Sequence, residues 1–113
     1  MSGRDDHRET WDAFRDLVNM TPSALEKWLA TEESRAAGQH KDGGESTGHA
    51  SGRAIVEILR TDKGDLSDAD YAHMRKVVGY IRRHLAQRPS GDVRDTRWRH
   101  SLMNWGHDPS DDR

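Results

Sequence analysis

The stretch 67-SDADYAHMRKVVGYIRRHLAQRP-89 constrains this chain more than any other, because it specifies a helix from its start to its end. Ser67 and Asp70 make a variant capping box, Leu66 and Tyr71 form a hydrophobic staple, and Asp68 and Asp70 suit the positive end of a helix dipole. Tyr71, Met74, Val78, Ile81 and Leu85 follow at alternating spacings of three and four residues, with Val77 beside them, and Pro89 ends the run. A helix with one apolar stripe needs other elements to cover it. No segment of the chain fits a strand template, so helices must do the covering.

Little apolar material is available for that purpose. Leu, Ile, Val and Phe number 16 of 113 residues, a level at which a highly charged chain stays disordered. The net charge is only −2, however, and four Trp concentrate burial in few side chains, which predicts a compact core with loose ends. The absence of Cys excludes disulfides and thiolate chemistry and fits a reducing compartment. The start, MSGRDDHRET, has no apolar signal region, and no apolar run reaches membrane-spanning length. A soluble cytoplasmic protein with no membrane partner is expected.

Around the central helix the sequence predicts a single all-α domain over 9–109, a small bundle of four to five helices. Residues 1–8 read as a disordered leader and 110–113 as a disordered tail. A first helix over Glu9–Val18 carries Trp11, Phe14, Leu17 and Val18 at helical spacing. A second starts with Thr21 as cap and Pro22 in the first turn, with Met20 stapled onto Leu25. It buries Leu25, Trp28 and Leu29 and runs on toward Ala37, where Gly38 stops it. The segment 38-GQHKDGGESTGHASG-52 holds five glycines and reads as a flexible loop over 38–51. Ser51 then caps a third helix, from Gly52 to Thr61, with Ile55, Ile58 and Leu59 inward and Gly64 beyond its end. A short last helix holds Trp98, Leu102 and Trp105 on one face, and Gly106 closes it before a turn at Asp108-Pro109.

Charge is segregated along the chain. Residues 1–71 carry 9 Lys/Arg against 15 Asp/Glu, a balance of −6, whereas residues 72–100 carry 8 against 2, a balance of +6. Either the acidic half folds onto the basic half, or the basic half has an anionic partner. On a wheel of about 100° per residue, with Tyr71 at zero, the apolar stripe of the central helix fills roughly 240° to 360°. Arg75 and Arg82 follow at about 20–40°, Ala72 and Gly79 at about 80–100°, and Lys76 and Arg83 at about 120–140°. A strip of small residues thus lies between two rows of cations. Mid-helix glycine costs about 1 kcal/mol relative to alanine, which asks for a reason. The expectation is a helix crossing at Gly79, with anions on its shoulders; a phosphate backbone along the strip is the competing occupant.

Arg94, Arg97 and Arg99 alternate with Trp98 in 94-RDTRWRHSLMNW-105 and extend the basic surface, while the two tryptophans are expected in the core. His107-Asp108 resembles the HD pair of metal-dependent phosphohydrolases, but the further ligands those need are not at the right spacing, so no metal site is expected. The glycine-rich loop lacks the Lys-Ser/Thr ending of a P-loop. No nucleophile–base or carboxylate pair stands out, so neither an enzyme nor a cofactor is predicted.

The stretches 48-GHASGRAIVEIL-59, 73-HMRKVVGYIRRHLAQRP-89 and 101-SLMNWGHDP-109 resemble a family of small uncharacterised bacterial and fungal proteins, the domain of unknown function numbered 3140. The resemblance covers about Thr21 to Pro109. Members are often labelled DNA-binding, which the resemblance implies here without assigning any site residue. Together these features predict a DNA-binding module making mainly sequence-nonspecific phosphate contacts through Arg75, Lys76, Arg82, Arg83, Arg94, Arg97 and Arg99, with His84 beside them. If DNA-binding, it would be nucleoid-associated. The alternative is a protein-interaction or stress-associated structural module whose basic face docks on an acidic protein partner.

Overall fold

The computed structural model describes residues 3–37 and 47–109. The described residues form helices α1 (Gly3–Leu17), α2 (Pro22–Leu29), α3 (Glu32–Ala37), α4 (Thr47–Arg60), α5 (Asp68–Leu85) and α6 (Arg97–Asn104), with a 3-10 turn at Lys63–Asp65. No strand occurs among the described residues, so the all-α expectation holds. α1 lies along α5, α2 along α4, and α6 closes against α2, α3 and α4.

The capping signals form as the residues dictate. Ser67 Oγ accepts from Asp70 N, and the Asp70 carboxylate accepts in return from Ser67 N. Thr21 Oγ1 accepts from Ala24 N at the start of α2. The α5 stripe is buried at Tyr71, Met74, Val77, Val78 and Ile81, against Phe14, Val18, Leu25, Ile55 and Leu102 in one continuous core. α6 ends as predicted. Gly106 takes φ +83°, Gly106 N donates to Met103 O and His107 N to Leu102 O, the paired bonds of a Schellman motif.

Three boundaries differ from the sequence reading. α1 begins at Gly3 rather than Glu9, so the leader expected over 1–8 joins the helix from its third residue. His7 helps hold it there, stacking on Tyr71 at 4.0 Å between ring centroids and reaching Asp68 at 3.5 Å. The single helix expected from Pro22 to Ala37 breaks at Ala30-Thr31. Thr31 Oγ1 donates to Trp28 O and accepts from Ser34 N, closing one helix and capping the next.

The third difference is the largest. α4 starts at Thr47, not Gly52, so Ser51 and Gly52 are buried in a helix instead of ending a loop. The glycines Gly48 and Gly52 lie one turn apart and face α6. A Cβ at Gly52 would stand 2.6 Å from Asn104 O and 2.7 Å from Leu29 Cδ2, and one at Gly48 would stand 3.2 Å from Trp105 Nε1. Close approach of α4, α2 and α6 is what demands these glycines. The rest of the expected loop, 38–46, and the expected tail at 110–113 lie outside the described residues.

Asn104 holds the same seam together from within. It is 1 % exposed, and its Oδ1 accepts from Trp28 Nε1 at 2.8 Å and from Ser34 Oγ at 2.5 Å, while its Nδ2 donates to Ser34 O at 2.9 Å. One buried amide thereby fixes α2, α3 and α6 relative to one another.

Candidate nucleic-acid interface

The cap of α5 fixes where its turns begin, and burial of the stripe fixes which sector faces out. Arg75, Lys76, Arg82 and Arg83 are all exposed. Among the described residues none of the four has a carboxylate within ion-pair distance. Arg75 and Arg82, like Lys76 and Arg83, are seven residues apart, about 10.5 Å along the helix axis. Two parallel rows of charge result.

Between the rows, the floor is open. A Cβ at Gly79 would meet only Arg83 Nη1, at 3.6 Å. Among the described residues no helix crosses at Gly79 and no backbone approaches it, contrary to the expectation; the close packing that needs glycine occurs at Gly52 instead. Among the described residues, no carboxylate of the acidic half forms an ion pair with these four cations, while Glu26 faces Arg60 and Asp68 faces His7.

The other three predicted arginines sit differently. Arg94 makes paired hydrogen bonds to Asp92, 2.7 to 3.1 Å long, and these hold the Asp92 carboxyl down at about 2. Arg99 grips Asp108 through Nε at 3.0 Å and Nη2 at 3.1 Å, and its Nη1 donates to Arg94 O. Both charges are thus matched within the fold. Arg97 is exposed and donates weakly to Ala37 O at 3.4 Å.

His107 and Asp108 are occupied as structural groups. His107 Nδ1 lies 2.6 Å from Leu17 O. Asp108 N donates to Asn19 Oδ1, and Asn19 Nδ2 donates to Asp108 O. The pair latches the end of the fold onto the α1–α2 turn. No group of three or more His, Cys, Asp or Glu suited to a metal occurs among the described residues. An open groove of about 520 Å³ runs over Met20, Ala24, Lys27, Trp28 and Met103, but the Asn19 and Asp108 groups at its rim are satisfied by each other.

What the sequence reading missed is a column of rings beside the basic face. His73, Tyr80 and His84 project from α5 toward Trp98 of α6 and Trp105 at its C-cap. Tyr80 stacks on Trp105 at 4.1 Å and on His84 at 5.1 Å, His73 lies 6.5 Å from Trp105, and His84 lies 6.2 Å from Trp98. Arg88 covers the Trp98 ring at 5.5 Å. Burial raises the Tyr80 hydroxyl above its ordinary value and lowers both imidazoles. The spacing of His73, Tyr80 and His84, seven and then four residues, was the available signal.

A family model described as a protein of unknown function, DUF3140, matches residues 13–103, and the chain belongs to that family. The match takes in His73, Tyr80, His84 and Trp98 of the column and the four cations of α5, and ends two residues before Trp105. No curated protein and no solved structure matches the chain. No helix among the described residues is long and apolar enough to cross a membrane.

Proposed function

We propose that this member of the DUF3140 family is a small DNA-binding module that contacts phosphates through the outer face of α5. The observation carrying this reading is the set Arg75, Lys76, Arg82 and Arg83: four exposed cations, without carboxylate partners among the described residues, flanking a floor that lacks a side chain at Gly79. A polyanion can lie close to the helix there with charge on both sides. Arg97 extends the face, whereas Arg94 and Arg99 contribute less because each already has a carboxylate. Contacts of this kind read no base edges, so binding is largely independent of sequence. A cytoplasmic, nucleoid-associated location goes with this reading.

Fluorescence anisotropy with duplex DNA across a salt series tests it. Four phosphates neutralised should give a log–log slope of about −3.6, at about −0.9 per contact. Combining Arg75→Glu with Arg82→Glu should abolish most of the binding and flatten the slope. Because both side chains are exposed, stability should move by no more than about 0.5 kcal/mol. Failure of the wild-type protein to bind at low salt sinks the reading. The alternative then takes its place, a protein-interaction or stress-associated structural module with an acidic protein partner.

A further inference from the structure

Among the described residues, His84 Nε2 is the buried side-chain nitrogen or oxygen left without a hydrogen-bond partner. Such groups are rare in folded proteins and ask for an explanation. His84 also ties α5 to α6 twice. Its ring lies between Tyr80 and Trp98, and its backbone carbonyl accepts the Trp98 indole N–H at 2.6 Å.

The surroundings favour a neutral ring. On its own helix, Tyr80 stacks against it and Arg83 precedes it; beyond the end of α5, Arg88 lies over Trp98. From α6 it meets the uncharged Trp98. No carboxylate forms an ion pair with it among the described residues. Burial pushes its imidazole below the ordinary value, opposed by a separate hydrogen bond between the ring and the Trp98 backbone. At the other end of the column, burial and then Lys76 lower His73, against the Ser51 bond and Asp70.

We propose that the α5–α6 ring column is a pH-sensitive joint, in which protonation of His84 unseats Trp98 from α5. In either neutral tautomer one ring nitrogen carries no proton; full protonation makes both nitrogens donors and leaves Nε2–H buried without an acceptor. The ring faces attract a cation, but Arg88 already covers Trp98 and a second positive charge beside it is repelled. The unfolded chain takes up this proton at a higher pH than the folded one. Stability is therefore complete above the unfolded value, falls as pH drops through it, and levels off below the folded value. Since the column borders the row of Lys76 and Arg83, loosening it would widen the exposed basic side of α5.

The full chain can be titrated by NMR, following the His84 ring and the Trp98 indole N–H in the same spectra. The His84 midpoint should fall below about 6.5, the Trp98 signal should shift with the same midpoint, and the melting temperature should drop between about pH 8 and about pH 5. His84→Phe keeps a ring in the column and removes the proton. It should abolish the Trp98 shift and reduce the acid loss, leaving the share that His73 contributes. A His84 midpoint at or above the ordinary value, a Trp98 signal that does not follow it, or an undiminished acid loss in His84→Phe overturns the proposal. If His84→Phe does not fold, the wild-type titration decides.

Discussion

At Gly52 an added Cβ would stand 2.6 Å from a backbone oxygen of α6, while at Gly79 the nearest atom is the tip of Arg83, 3.6 Å away. Both glycines lie well inside long helices, and neither has a positive φ. The two regions around them nevertheless differ in kind. The Gly52 seam is buried and bonded: Leu29 and Asn104 press on the glycine, and the Asn104 amide makes three hydrogen bonds to α2 and α3. The Gly79 strip is bare, and cations border it. A helical glycine thus marks close packing in one place and an unfilled surface in the other, and only the neighbours distinguish them.

The strongest way to break this contrast is Asn104→Leu. A leucine leaves Ser34 Oγ, Ser34 O and Trp28 Nε1 without their partner, and each buried orphan costs about 1–3 kcal/mol. A loss of about 3–5 kcal/mol is expected in chemical unfolding, a large share of the stability of a domain this size. If Asn104→Leu unfolds like wild type, the seam is not held by this amide.

Gly52→Ala comes next. Its methyl must displace either the α6 backbone or the Leu29 side chain, and overpacking of this kind costs about 1–3 kcal/mol. The better helix propensity of alanine returns about 1 kcal/mol, so a net loss of up to about 2 kcal/mol should appear as a lower denaturant midpoint. A gain instead would mean that the two helices are not in close contact there.

How much of this was legible in the sequence follows the range of each signal. The caps at Thr21 and Ser67, the α5 stripe and the Gly106 stop involve residues a few positions apart, and the sequence shows both partners of each bond at once. The break at Ala30-Thr31 has a local cause too, in Thr31 and Ser34, but continuous helix propensity across the segment masks it. Gly52 was misread because 48-GHASG-52 has the composition of a loop. Its reason for being small, Asn104 O, lies 52 residues away in the chain and appears in no periodicity. Asn104 was invisible for the same reason, since a polar residue in a short helix ordinarily faces water. On the candidate site, the wheel placed Arg75, Lys76, Arg82 and Arg83 outward, as the structure does. It could not say that Arg94 and Arg99 would find Asp92 and Asp108.

The smallest expected effect tests the bare side of the comparison. Gly79→Ala adds a methyl that meets only a movable guanidinium, so it should stabilise the protein by about 0.4–1 kcal/mol, by restricting the unfolded chain and improving helix propensity. A loss of stability would show that something packs on the strip after all. Alanine is small enough to leave a phosphate path open, so a second substitution is needed to separate an idle surface from a binding one. Leucine has nearly the helix propensity of alanine but projects well beyond the backbone. If the strip is merely unfilled, Gly79→Leu should keep both its stability and its affinity for duplex DNA. If a polyanion lies on it, the same variant should stay folded and bind more weakly, with a shallower salt slope than wild type. Only that second outcome turns an absent side chain into a functional feature of α5.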